Sequence, residues 1–142
     1  MAYYVGTLEN SPYVKIEAPY ERIVRYLISP ELDPSQNELA LGLVELPVGS
    51  KSDFRAHPEP ELFLCIAGHG HIRIGDEMIE MHPFNAVMVP PNVPHQTYND
   101  IGDEVMKFVI VLPPPFGGDR MIIDNWKKAQ GIKNTGEENA GE

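Results

Sequence analysis

Five histidines, one cysteine and a scatter of carboxylates are the groups in this chain best suited to chemistry. In GSKSDFRAHPEPELFLCIAG, residues 49–68, His57 stands four places before Glu61, with Pro58 and Pro60 between them. Proline fixes φ and withholds an N–H, so the chain turns a corner between this imidazole and this carboxylate. Arg55 stands two places ahead of His57 and shares its strand parity. A second imidazole, His95, opens HQTYN directly after the proline-rich turn PPNVP. A divalent transition metal needs imidazole and carboxylate donors converging from different strands, with positions left open. The two histidine segments are a span of hairpins apart, as expected of neighbours in a closed sheet.

The other titratable groups read differently. His69 and His71 form an H-x-H pair, but they share strand parity with Arg73, while Gly70, Ile72 and Ile74 take the other face. Their face is expected to meet solvent or an interface. His82, in the turn HPFN, reads as a surface turn residue, and Glu59, between two prolines, as a solvated charge. The single Cys65 makes no internal disulfide and reads as a small buried hydrophobe within LFLCI.

Short apolar stretches punctuated by Pro, Gly, Asn and Asp run the length of the chain, the pattern of an all-β sandwich or barrel. The expected strands are 22–28, 38–46, 61–66, 69–74, 78–81, 86–89, 95–99 and 106–112. Most of the fourteen prolines fall outside them, where a missing N–H breaks no ladder. DRMIIDNWKKAQ, residues 119–130, gathers Met121, Ile122, Trp126 and Ala129 on one side and is followed by Gly131, predicting a short helix. Strands 61–66 and 106–112 are apolar almost without alternation, a pattern of burial on both faces. A small barrel does not bury so much alone, so a homodimer joined through sheet faces or strand exchange is expected.

The chain's 142 residues suffice for one domain with a core. The organisation expected is an N-terminal arm at 1–20, a barrel at 21–115, a helix at 116–130 and a disordered acidic tail at 131–142. A formal net charge of −10 argues against a nucleic-acid partner. Neither a signal peptide nor an apolar run of membrane-spanning length is evident, so a cytoplasmic location away from membranes is expected.

Residues 38–113 resemble the cupin superfamily. Its first motif, G-x5-H-x-H-x3–4-E-x6-G, is met by Gly49, His57, Glu61 and Gly68; its second, G-x5-P-x-G-x2-H-x3-N, by Pro90, His95 and Asn99. Arg55 replaces the first motif's leading histidine, and Phe84 and Asn92 replace two glycines of the second. The resemblance implies an antiparallel β-barrel of jelly-roll type with its site in the mouth. It also implies one divalent ion (Fe, Mn, Ni or Zn) on His57, Glu61 and His95, and a small-molecule substrate contacted by Arg55 and Asn99. Enzymes of this family include dioxygenases, decarboxylases, lyases, isomerases and cyclases. Guanidinium has no lone pair for a metal, so Arg55 leaves two outcomes: a clamp for a carboxylate beside the ion, or a partner of Glu61 in a metal-free pocket that binds a small anion. For Arg55 alone, an ion pair with Asp53 or Glu59 is the competing expectation.

Overall fold

A computed structural model describes residues 3–113 and 117–131. Nine strands and one helix follow in chain order: β1 (Tyr13–Ile16), β2 (Arg22–Ile28), β3 (Ala40–Leu46), β4 (Glu61–Ala67), β5 (Gly70–Ile74), β6 (Glu77–Met81), β7 (Ala86–Val89), β8 (His95–Tyr98), β9 (Met106–Leu112) and α1 (Gly117–Ala129). Eight of the strands stand where apolar patterning put them. β1 lies inside the segment expected to be an N-terminal arm; it pairs with β2 and forms one edge of a sheet. Its sequence, YVKI, is too short and mixed to announce a strand.

All pairings are antiparallel and make two sheets, of order β1-β2-β3-β9-β4-β7 and β6-β5-β8. The fold is jelly-roll-like, but its ladders do not close into one continuous barrel. Inward-pointing residues alternate along each strand. Val24, Tyr26, Val44, Leu46, Phe63, Phe108 and Ile110 from the larger sheet meet Ile72 and Met81 from the smaller to form the core. Cys65 joins them, fully buried, and burial pushes its thiol pKa up.

Within one chain, β4 and β9 bury one face fully and the other in part. Glu61, Phe63 and Cys65, like Met106, Phe108, Ile110 and Leu112, are buried, whereas Leu62, Leu64, Lys107, Val109 and Val111 are half-buried. One face of the large sheet is core; the other is apolar and partly open.

The segment before β4 joins the two sheets. Residues 49–55 run along the free edge of β8: Asn99 N donates to Ser50 O at 2.9 Å, Ser52 N to Thr97 O at 2.9 Å, and Arg55 and His95 exchange backbone bonds at 3.3 and 3.0 Å. A further bond, Asn92 N to His57 O at 2.8 Å, ties the corner before β4 to the turn before β8. Gly68, the last glycine of the first motif, is fixed by close approach: its φ is +87°, and an added Cβ would lie 2.7 Å from the Met106 Cα.

α1 packs on β1, with Ile123 fully buried. Asp119 in its first turn is buried and accepts a hydrogen bond from Ser29 Oγ at 2.9 Å. Gly131 takes φ +74° just past the helix, as its position after the periodic run predicts. No described helix is long and apolar enough to cross a membrane. The tail expected to be disordered falls, beyond Gly131, outside the described residues.

The two replaced glycines keep glycine-like backbone. Phe84 has φ +73° and Asn92 φ +64°. Asn tolerates this region, but an aromatic side chain crowds its own carbonyl there, at about 1–2 kcal/mol. Phe84 is 80 % exposed, so little packing offsets the strain. Phe84→Gly should therefore raise unfolding stability by roughly 1 kcal/mol in a urea titration, after glycine's greater unfolded-state entropy is allowed for. An unchanged or lower midpoint would show that the ring is held by something other than solvent.

Candidate metal centre

Three side chains meet inside the mouth between the sheets. His57 comes from the loop beside β8, Glu61 from the first position of β4 and His95 from the first position of β8. Their side chains are 12 %, 9 % and 9 % exposed. Glu61 Oε1 lies 2.9 Å from His57 Nε2 and 3.3 Å from His95 Nε2, with the two rings edge to face at 5.0 Å between centroids. One nitrogen or oxygen from each residue falls within 4.8 Å of the others, close enough to share one ion.

The far side of each ring determines what the near side can do. His57 Nδ1 sits 2.8 Å from Glu59 O, and His95 Nδ1 sits 3.0 Å from Val93 O. A carbonyl only accepts, so each Nδ1 carries the proton. A neutral imidazole then presents a bare lone pair at Nε2, aimed at a carboxylate oxygen. Two lone pairs repel. A cation must lie between them, either a second proton on the ring or a metal ion. Backbone carbonyls holding Nδ1–H while Nε2 faces the site is the arrangement that orients ligating histidines.

The electrostatics agree. The hydrogen bond with Glu61 raises the His57 pKa over the opposing effect of burial. Burial pushes the Glu61 carboxyl up, but its hydrogen bonds with the two imidazoles outweigh that and hold it below the usual carboxylate range.

Arg55 lies at the rim and pairs across the backbone with His95. It does not bond Glu61. Its Nε lies 3.4 Å from Asp53 Oδ2, and its side chain is 65 % exposed. Asp53 also takes a 2.9 Å bond from Arg22 NH2, whose side chain is 8 % exposed. Arg22 went unnoticed in the sequence because RIVRYLI reads as an ordinary strand; that its inward parity matches Val24 and Tyr26 was the available signal. Arg22, Asp53, Arg55, Tyr26 and Thr97 line a cavity of about 120 Å³ together with the three donors and an apolar wall that includes Val44, Phe63 and Ile110. Burial, then the charge of Glu61, drives the Tyr26 phenol pKa well above its ordinary value, so it stays protonated.

Asn99 departs from expectation. It shares strand parity with His95 but does not line the cavity; it is 1 % exposed and donates through Nδ2 to Leu46 O and Glu104 O, each at 2.9 Å. Nor is Glu59 a solvated charge. It is half-buried, and its Oε2 lies 3.9 Å from His57 Nδ1. Tyr98 lies on the other face of β8 and donates to Gln96.

A family model described as a cupin domain matches residues 42–112. The chain is a cupin. Among solved structures this cupin is similar to a cupin 2 conserved barrel domain protein from Rhodopseudomonas palustris, at 19 % identity and a TM-score of 0.64, over 74 % of this chain and 71 % of that one. It is also similar to a predicted oxalate decarboxylase from Thermotoga maritima, at 16 % identity and a TM-score of 0.67, over 79 % of this chain and 100 % of that one. A polyketide cyclase from Streptomyces resistomycificus matches at 18 % identity and a TM-score of 0.67, over 81 % of each chain. At these identities the likeness is one of fold. A comparison with curated protein sequences finds no match.

Since Asn99 satisfies two carbonyls and does not line the cavity, Asn99→Ala should lower stability by about 1–3 kcal/mol and leave metal content and ligand affinity as they were. A variant that keeps wild-type stability but loses ligand affinity would restore Asn99 to the binding site.

Proposed function

We propose that this cupin is a metal-dependent enzyme whose His57, Glu61 and His95 hold one divalent transition ion and whose cavity takes a small oxygenated, carboxylate-bearing substrate. One observation supports this above the others: both Nε2 atoms turn toward the same Glu61 oxygen while both Nδ1 atoms are committed to carbonyls. Two imidazoles and a carboxylate suit Fe(II), Mn(II), Ni(II) or Zn(II) and leave positions open. When bound, such an ion supplies Lewis acidity to a substrate oxygen. Dioxygenase, decarboxylase, lyase and isomerase chemistry all draw on that property, and the fold does not choose among them.

The chain's own groups supply binding and orientation. Arg22 and Arg55 converge on Asp53 from two sides and present two guanidinium groups to the cavity. A substrate carboxylate would take paired, charge-assisted hydrogen bonds there. Tyr26, kept protonated, offers a hydroxyl donor to a developing negative oxygen. Phe63, Val44 and Ile110 limit water on the remaining side.

The same arginine pair favours a second reading, a non-catalytic and metal-free cupin that holds a small anion through Arg55. Metal analysis of untagged protein together with malonate titration separates the two. The enzyme reading expects His57→Ala or His95→Ala to bind about one equivalent of transition metal less than wild type, and malonate binding weakened roughly 10- to 100-fold in Arg55→Met with metal retained. Folded protein whose uptake of the four ions is the same in wild type, His57→Ala and His95→Ala, yet which binds malonate through Arg55, would leave the carrier in place of the enzyme.

A homodimer is proposed from the open face of the large sheet. Leu41, Val111, Leu62 and Met88 stand side by side across four strands, and Leu43, Val109, Leu64 and Ala86 form the next row. Six of these side chains are half-buried and Met88 and Ala86 are exposed, a contiguous, partly open aliphatic surface of the kind that marks association. Light scattering should return twice the chain mass for wild type and a monomer for Val109→Lys. A monomeric wild type at high concentration would refute this.

A further inference from the structure

On the face of the small sheet turned away from the cavity, the β5–β6 hairpin collects a second donor set. His69 and His82 are the residues next beyond the paired Gly70 and Met81, and Glu80 pairs with His71. Antiparallel register therefore stacks His69 against His82, with ring centroids 4.2 Å apart and planes at 25°. Glu80 reaches both rings: Oε1 lies 2.8 Å from His69 Nε2, and Oε2 lies 3.6 Å from His82 Nε2. Its carboxyl is held below the usual range, first by the hydrogen bond with His69. The imidazole of His71 is engaged by Asp100 at 2.8 Å, so it does not compete for Glu80.

We propose that His69, Glu80 and His82 form a second metal site, a surface site for a borderline divalent ion such as Zn(II). The donor atoms lie within 4.8 Å of one another, so small rotations about the side-chain bonds bring them to a shared ion. Two imidazoles and a carboxylate on two hydrogen-bonded strands supply three ligands of a tetrahedral site, and exposure leaves the fourth position to water. Nitrogen donors in the majority favour Zn(II), Ni(II) or Cu(II) over Mg(II) or Ca(II). An ion shared by their Nε2 atoms and Glu80 would hold the two stacked rings together. The ion would clamp the two strands of the hairpin at the end next to the 82–85 turn.

This site is independent of the central one, so its test does not need that reading to hold. Equilibrium dialysis against Zn(II), with Mg(II) in excess, is run on wild type, on the His69→Ala/His82→Ala variant and on Glu80→Gln. The proposal expects the double variant to bind one equivalent less than wild type, and Glu80→Gln to bind that equivalent at least about tenfold more weakly. In wild type, Zn(II) should shift the imidazole nitrogen resonances of His69 and His82 and leave those of His71 in place. All three residues are at least a third exposed on their side chains, so the variants are expected to fold. Equal stoichiometry in wild type and double variant, or histidine resonances unmoved by Zn(II), would overturn the proposal.

Discussion

The carboxylate of Glu61 lies between two imidazoles that both turn Nε2 toward the same oxygen. Each ring has committed its Nδ1 proton to a backbone carbonyl, Glu59 O for His57 and Val93 O for His95. Those carbonyls belong to the turns PEP and NVP, so the tautomers are set by turn geometry and not by the cavity. The cation that must sit between Nε2 and Glu61 Oε1 is in that sense built into two proline turns. Much of the molecule serves to keep these turns adjacent. The bond from Asn92 N to His57 O joins them directly, and residues 49–55 fasten the first turn to the edge of β8.

That fastening also explains how two open sheets do the work of a barrel. Neither sheet reaches the other by a regular ladder, and the isolated pairings Lys51–Tyr98 and Arg55–His95 take its place. A loop bonded along a strand edge satisfies the edge's N–H and C=O groups as a strand would, yet its residues need not alternate in and out. Adjacent Ser52 and Asp53 can therefore both line the cavity, where strict alternation in a strand would turn one of them away.

Much of this was legible in the sequence, and the boundary between what was and was not is physical. Seven strands are visible because each carries apolar residues enough to declare a buried face, and β8, HQTY, because the turn PPNVP announces its start; β1 gains its place only through pairing with β2. His57, Glu61 and His95 were found because glycines and prolines at motif spacing mark the turns that present them. Asn99 has the right spacing too, but spacing does not report whether a side chain reaches a cavity or two carbonyls. Arg22 carries no local sign of function; its role depends on Asp53, thirty-one residues away and opposite it in space. The cluster of His69, Glu80 and His82 was hidden for a related reason. Parity placed His69 and His71 on one outward face, while the histidine that stacks on His69 came from the far end of the hairpin, where only register brings it close.

The charges around the cavity decide what kind of molecule belongs there. Arg22 and Arg55 contribute two positive charges, and Asp53 and Glu61 two negative ones, so the side chains alone leave the mouth near neutral. The cation required between the imidazoles and Glu61 is additional. On the proposed reading that cation is a metal ion, and it would make the cavity net positive in a partly desolvated setting, where Coulomb energies are several times those in water. An anionic ligand restores neutrality, and a neutral one of the same shape does not. Replacing the family's first histidine by Arg55 fits this balance. On the proposed reading it takes one ligand from the ion and puts a positive charge at the rim, where Asp53 pairs with it and an incoming carboxylate could meet it.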